Sequence, residues 1–364
     1  MITLNGSQGE GGGAIVRVAL ALSTYTKQEF KITNIRAGRE QGGLKAQHLA
    51  AIKALKEICN AETNEVQLGT TELHYKPGKI KSGRYEFDIG TAGSITLFLQ
   101  AIILPSLFAT GKITLTVRGG TSGKWQASVD YLQQILLPQL KRFVDKIELK
   151  ILKRGYYPLG GGEIVLEIFP QKNREKTITP IILNTQGQLE QIKGVINTST
   201  SLQEQRVAER IQQAAEASLR KYQVPINIRV EYANAQSIGG EIILWAVFSN
   251  NGTIDQLNPV ILSGDALLEK SKRSEEVAKE AVEELSTEID SGAAVDHHLA
   301  DQLIPFMALL LGSKIKVSEV SPHTQSNIDV VEQFLPVKFE VKDNVIEVKV
   351  PSEDHKNTSF HQSQ

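Results

Sequence analysis

The sequence predicts a mixed α/β (α+β) protein, a pseudo-symmetric core of repeated units that carries a small inserted α/β domain. Three observations predict it. A glycine- or alanine-rich entry, an apolar helix, an alternating strand and a short loop recur three times in that order. The spacing between copies is uneven, roughly 80 and then roughly 200 residues, which points to an insertion before the third copy. The long interval has its own strand, helix and strand pattern, enough for a separate core.

The first copy opens on Glu10-Gly11-Gly12-Gly13, continues as a helix from Ala14 to about Thr24 and a strand Phe30 to Ile35, and closes on the loop Arg36-Ala37-Gly38-Arg39. A further helix follows Gly42-Gly43 and runs to about Cys59, with Gln47 and His48 in its first turns. Copy two opens on Gly90-Thr91-Ala92-Gly93, with a helix from Ser94 to about Ala109, a strand Lys112 to Val117 and the loop Arg118-Gly119-Gly120-Thr121. Copy three opens on Ser291-Gly292-Ala293-Ala294, with a helix from His298 to about Leu311. The period of two in Lys314 to Val320 predicts a half-buried strand, and Ile328 to Leu335 an amphipathic helix. Ser321 to Asn327, with His323, is then a loop between them.

Between copies two and three, Glu163 to Phe169 alternates as a strand, and Pro170 to Lys176 is a linker or strand end. A strand at Ile192 to Ile196, a helix Glu204 to Tyr222, and strands at Ile226 to Tyr232 and Glu241 to Phe248 form the inserted set. The charged amphipathic helix Ser274 to Ser286 returns the chain to the third copy. The expected limits are 1–182 and 273–345 for the core, 183–272 for the insertion, and 346–364 for a polar strand end and tail, with Lys356 to Gln364 disordered.

Composition excludes several classes. Across 364 residues, 41% apolar and 22% charged content describe an ordinary globular chain, and no run of about eighteen apolar residues is available to cross a membrane. Met1 to Gly6 lacks the basic and apolar regions of a signal peptide. Cys59, the single cysteine, allows no internal disulfide and fits a reducing cytoplasm. A net charge of -1 means that any nucleic-acid partner is gripped by a local basic cluster. Monomer and homodimer both stay open.

Candidate chemistry sits at the repeated loops. Arg36 and Arg39, three residues apart, can grip one phosphate from two sides, or they are solvated charges. Gly9 to Gly13 precedes a helix and can admit an anion, yet it matches neither of the two common nucleotide-loop patterns. Glu10 within it is either a divalent-metal ligand or a helix N-terminal charge. Each repeat also carries polar residues on its apolar helix, about twenty residues before its loop: Arg17, then Gln100, then Asp301 and Gln302. That recurrence predicts a shared polar cavity. His323 is a positioned catalytic side chain or a surface residue.

These blocks together carry a resemblance. Gln8 to Gly13, Ile35 to Arg39, Gly90 to Ser94, Arg118 to Thr121, Tyr157-Pro158-Leu159-Gly160-Gly161-Gly162, Leu299 to Gln302 and the His323 segment resemble, in order, the RNA 3'-terminal phosphate cyclase family. The resemblance implies three βαβαββ units with an α/β domain inserted in the third. It implies an ATP-dependent ligase-type enzyme that closes an RNA 3'-phosphate end into a 2',3'-cyclic phosphate through a covalent histidine-AMP. On that likeness His323 is the nucleophile, Arg17, Arg36, Arg39 and Gln47 handle phosphates, and Glu10 holds Mg²⁺ or Mn²⁺. Gln100, His298, Leu299, Ala300, Asp301 and Gln302 match nucleoside contacts. His298 and Ala127 depart from the tyrosine and proline that often sandwich the adenine, and Trp125 can compensate. Two alternatives share the likeness: non-catalytic cyclase-like ribosome-assembly proteins, which lack the histidine, and enolpyruvyl transferases, which share only the fold.

Overall fold

A computed structural model describes residues 1–173 and 177–351. The expected disordered tail at Lys356 to Gln364 lies outside the described residues. In chain order the first sheet is built from β1 (Ile2–Asn5), α1 (Ala14–Thr26), β2 (Phe30–Thr33), α2 (Ala46–Cys59), β3 (Glu62–Thr63) and β4 (Leu73–Lys76). A second set comprises β5 (Gly83–Asp88), α3 (Ile95–Leu107), β6 (Ile113–Gly119), α4 (Val129–Tyr131), a π-turn at Leu132–Leu136, α5 (Leu137–Leu140), β7 (Val144–Lys153) and β8 (Gly162–Pro170). After β9 (Ile182–Leu183) come β10 (Gln188–Ser199), α6 (Val207–Leu219), β11 (Ile226–Ala233), β12 (Gly240–Ser249), β13 (Ile261–Leu267) and α7 (Ser274–Asp290). The chain ends in α8 (His297–Met307), β14 (Lys314–Lys316), α9 (Pro322–Phe334), β15 (Lys338–Lys342) and β16 (Val345–Lys349).

Three of the sheets share one connection order. They read β1-β2-β4-β3, β5-β6-β8-β7 and β9-β14-β16-β15, each with one parallel pair bridged by a helix and two antiparallel pairs. The bridging helices α1, α3 and α8 are the apolar ones. Their buried faces pack together, α1 on α3 and on α9, α8 on α3 and on α9, so the start of α9 and the polar positions of α1, α3 and α8 meet. The fourth sheet, β11-β10-β12-β13, is wired differently and lies between β9 and α8 in sequence.

Several sequence readings change here. The alternating segment from Lys314 pairs only as far as Lys316, and Val317 makes one isolated bridge to Val295. The last long helix starts six residues earlier than periodicity suggested, because Ser321 caps it, its Oγ accepting the Thr324 N–H at 3.1 Å, and Pro322 occupies the first turn. His323 is therefore a helical residue rather than a loop residue. Arg118 belongs to β6, directly across from Glu163, and its Nε donates to Glu163 Oε2 at 2.8 Å; it is a cross-strand pair, not part of a converging loop. The helix expected from Glu204 begins at Val207, after Arg206 in a left-handed backbone (φ 52). β13 carries no alternation because it is buried on both faces, and was missed for that reason. A core limit at residue 345 falls within β16, whose Ile346 and Val348 are buried.

The fourth sheet is joined to the rest by buried polar contacts. α7 lies on β12 and β13 beside α6. Asp296, the N-cap of α8, accepts from Ser263 N at 3.0 Å and Oγ at 2.8 Å and from Tyr131 OH at 2.8 Å. Arg154 pairs with Asp130 and with Glu231 at 2.6 Å, while Arg142 donates to carbonyls on both sides of the seam, Pro180 at 2.6 Å and Leu257. Among the described residues no helix is long and apolar enough to cross a membrane.

Candidate active site

The glycine turn before α1 and the first turn of α9 face each other. Gly9 (φ 57) and Gly11 (φ 58) both take a left-handed backbone that a side chain would strain, and a Cβ on Gly9 would lie 2.1 Å from Ser326 Oγ. The turn so formed presents Glu10, whose side chain is only 8% exposed. Glu10 Oε1 lies 3.0 Å from His323 Nδ1, and Oε2 accepts from Arg39 NH2 at 2.5 Å. Its backbone N–H donates to Ser326 Oγ at 3.2 Å, and that hydroxyl donates to Pro322 O at 2.8 Å. The His323 ring stays 45% exposed, with Nδ1 committed to Glu10 and Nε2 on the other edge.

The charges shift one another. Burial pushes the Glu10 carboxyl up, but the contact with His323 and the charges of Arg39 and Arg17 outweigh it and hold the carboxyl below its ordinary value. The Glu10 contact raises His323 above the ordinary imidazole value, against the opposing effect of burial. Each group thus favours the charged form of the other.

Beside this pair lies a pocket lined by Arg17, Gln100, Thr96, Asp301, Gln302 and Asn327. Arg17 Nε donates to Gln100 Oε1 at 2.6 Å, the only hydrogen bond of that guanidinium among the described residues, and both residues line the pocket. Burial lowers Arg17 to about 10, with Asp301 and Glu10 acting against that, so it remains charged at neutral pH. Burial raises Asp301 to about 6. Asp301 Oδ1 and Asn327 Oδ1 are buried acceptors without a partner among the described residues, which suits hydroxyl or amino donors on a ligand. Asn327 is held by its amide, which donates to Asp301 O at 2.8 Å.

Behind Arg17, His48 is buried, its Nδ1 accepting the Lys45 backbone N–H at 3.0 Å, which leaves the ring proton on Nε2. Burial and the nearby Arg17 and Arg36 charges push its pKa down to about 3. Gly13 fits this corner because a Cβ there would stand 2.6 Å from His48 Nε2 and 2.9 Å from Arg17 NH1.

The structure thus brings Glu10, His323 and Arg39 into one cluster, and Arg17, Gln100, Asp301 and Gln302 into the adjoining pocket. Arg36 borders both groups, close enough for its charge to act on Arg17 and His48 and to feel Glu10 and Arg39, while the other candidates fall elsewhere. Arg36 has φ 56, and its NH1 donates to Gln41 O at 2.7 Å and Gly43 O at 3.3 Å, so it ties its own loop. Gln47 lines a separate groove with Lys45, Thr91, Gly93, Tyr157 and Pro158. Leu299 and Ala300 point into the core, which leaves only their backbone for a ligand. His298 turns its Nε2 toward Glu284 Oε1 at 3.6 Å and packs edge-on to Tyr131. Burial pulls its pKa down, but the Glu284 contact and the Asp296 and Asp265 charges override this and raise it to about 9. Trp125 is 95% exposed and packs on nothing, whereas Ala127 does line the pocket. Ser326 and Asn327 belong to the His323 segment in the sequence reading, which gives them no role of their own. The Ser-Pro cap at 321–322 was the signal that could have found them, since it puts residues 323, 326 and 327 on successive turns of one helix.

Fold and site define an α+β protein with a histidine–carboxylate contact beside a pocket that is lined by Arg17 and has buried acceptors. The family model described as RNA 3'-terminal phosphate cyclase matches residues 8–341. Similar curated proteins carry that same name: one from Pyrococcus furiosus, 41% identical over 95% of this chain and 96% of its own length, and one from Methanopyrus kandleri, 40% identical over 94% and 95%. A third, from Archaeoglobus fulgidus, is 41% identical over 93% of this chain and 98% of its own. The chain belongs to the RNA 3'-terminal phosphate cyclase family, and it is an enzyme of the ligase type.

Proposed function

We propose that the chain cyclises RNA 3'-phosphate ends at the expense of ATP, with His323 as the nucleophile. The observation that carries this reading is the 3.0 Å contact of His323 Nδ1 with a shielded Glu10, which orients the ring and leaves Nε2 to attack. Once neutral, His323 Nε2 forms a bond to the α-phosphorus of ATP, the bond to the bridging oxygen breaks, and pyrophosphate leaves. An oxygen of the RNA 3'-phosphate then takes the adenylyl group from His323, breaking the N–P bond. The neighbouring 2'-hydroxyl attacks the activated phosphate, loses its proton, and expels AMP as the 2',3'-cyclic ester closes.

Arg17 and Arg39 balance charge that builds on the transferring phosphate, while Gln100 fixes the Arg17 guanidinium through its Nε. Asp301 and Asn327 offer acceptors to the nucleoside. Gln47, in its separate groove, suits the RNA strand rather than the adenylate. Glu10 would hold a Mg²⁺ or Mn²⁺ ion through a carboxylate that now contacts His323 and Arg39, and such an ion would offset phosphate charge. Residues 1–182 and 273–345 are read as the catalytic core and 183–272 as the insertion, on whose sheet α7 rests.

The test is incubation with ATP labelled at the α-phosphate. Wild type should carry an acid-labile, base-stable label and His323→Ala none; an unlabelled wild type would favour the non-catalytic alternative instead.

A further inference from the structure

Away from the His323 cluster, one other group of metal-type donors meets among the described residues. His297 and His298 open α8, and Glu284 projects from α7. Glu284 Oε1 is 3.8 Å from His297 Nε2 and 3.6 Å from His298 Nε2, and the three donor atoms lie within 4.8 Å of one another. The two rings sit 3.9 Å apart, tilted by 40°, so neighbouring residues of one helix turn toward the same carboxylate.

The surroundings are those of an oriented ligand set. His297 Nδ1 faces Glu288 Oε1 at 2.6 Å, a carboxylate behind the imidazole. Glu284 Oε2 accepts the Asp265 backbone N–H at 2.7 Å, which fixes the carboxylate and leaves Oε1 for the histidines. Partners of this kind aim first ligands and raise their basicity. Glu288 is buried, and its second oxygen has no partner among the described residues. Glu284 and His297 are each 28% exposed, which gives a fourth, water position access.

We propose that Glu284, His297 and His298 bind one divalent transition-metal ion of the Zn²⁺ class. Two imidazole nitrogens and one carboxylate oxygen are a zinc-type donor set, whereas Mg²⁺ and Ca²⁺ require mostly oxygen. The ion joins α7, which lies on the fourth sheet, to the first turn of α8, which carries Asp301 and Gln302 into the pocket. Its role is to staple α7, the helix that rests on the insertion's sheet, to the pocket helix. It does not depend on the reaction proposed for His323.

The test uses untagged full-length protein, stripped with a chelator and re-equilibrated with ZnCl₂. One Zn²⁺ per chain should bind, with a rise in melting temperature. His297→Gln and Glu284→Gln should each weaken zinc binding by roughly tenfold or more, while Glu10→Gln, at the other carboxylate–histidine contact, should bind zinc as the wild type does. X-ray absorption on the wild-type zinc complex should show two imidazole ligands, a readout that stands even where a variant fails to fold. Absence of stoichiometric zinc, undiminished affinity in both variants, or fewer than two imidazoles around the ion overturns the proposal and leaves the group as a pair of ordinary histidine–glutamate contacts.

Discussion

Glu10 Oε1 and His323 Nδ1, 3.0 Å apart, join the glycine turn ahead of α1 to the first turn of α9. The contact holds His323 protonated to a higher pH than an isolated imidazole, whereas a nucleophile must be neutral. Adenylylation should therefore rise with pH through the raised His323 value. In Glu10→Gln the carboxylate that favours the imidazolium is gone, so the acidic limb of the pH–rate profile should move to lower pH even as the maximal rate falls. The check is a single-turnover adenylylation profile of both proteins, and an acidic limb that stays put removes His323 as the titrating group.

Arg17 lines the pocket with its Nε bonded to Gln100 Oε1 at 2.6 Å, and its terminal nitrogens have no hydrogen-bond partner among the described residues. Arg17→Ala should lower kcat/KM for ATP by about a hundredfold, the scale of losing one charge-stabilising donor. Arg17→Lys should recover little, since an ammonium cannot both bond Gln100 and present a fork. Steady-state kinetics at fixed RNA concentration decide it, and a near-normal lysine variant would reduce Arg17 to a point charge.

His48 gives the fold an acid-sensitive point. Its folded value is depressed from 6.5 to about 3, so the unfolded chain binds the proton more readily. The neutral ring's contribution is complete above pH 6.5 and is lost as the pH falls toward 3. At pH 5 the loss is about 2 kcal/mol, from the 1.36 kcal/mol carried by each pKa unit. Urea unfolding at pH 7 and pH 5 should show that difference shrinking in His48→Gln, even though this variant starts less stable. An equal pH response in the two proteins would place the sensitivity elsewhere.

The pocket was legible in sequence because an arginine or glutamine alone on an apolar helix has few physical excuses, and Arg17, Gln100 and Asp301 each stood out in that way. Helix limits were less legible. Alternation from Lys314 runs past the point where β14 stops pairing, which hides the cap at Ser321 and gives His323 the pattern of a loop residue. Leu299 and Ala300 share one sequence block with Asp301 and Gln302, yet only Asp301 and Gln302 of that block turn to the pocket. Arg118 looked like a loop arginine because its partner Glu163 is distant in sequence and adjacent only across the β6–β8 ladder. Contacts of that kind leave no local pattern.

The seam around the fourth sheet makes the insertion hard to remove. An inserted set of strands in a repeated core suggests a unit that can be excised, yet Ser263 supplies two of the hydrogen bonds to the buried Asp296 that caps α8. Leu257 and Asn258 receive the Arg142 guanidinium, Pro259 receives the Gln139 amide at 2.7 Å, and Glu231 pairs with Arg154. Deleting 183–272 would strand these groups and bare the face of α7 formed by Val277, Ala281 and Leu285. Arg154 would keep Asp130, Arg142 the Pro180 carbonyl and Asp296 the Tyr131 hydroxyl, so each loses part of its pairing; a lost hydrogen bond to a charged group costs about 1.5–3 kcal/mol, and several such losses together with the bared apolar face reach the scale of a typical domain's stability. The deletion should therefore give insoluble protein or a chain without a cooperative melt, measured by circular dichroism on heating. A soluble, cooperatively melting remainder would mean that the core satisfies Asp296 and Arg142 by itself, and that the seam is a contact surface rather than a shared interior.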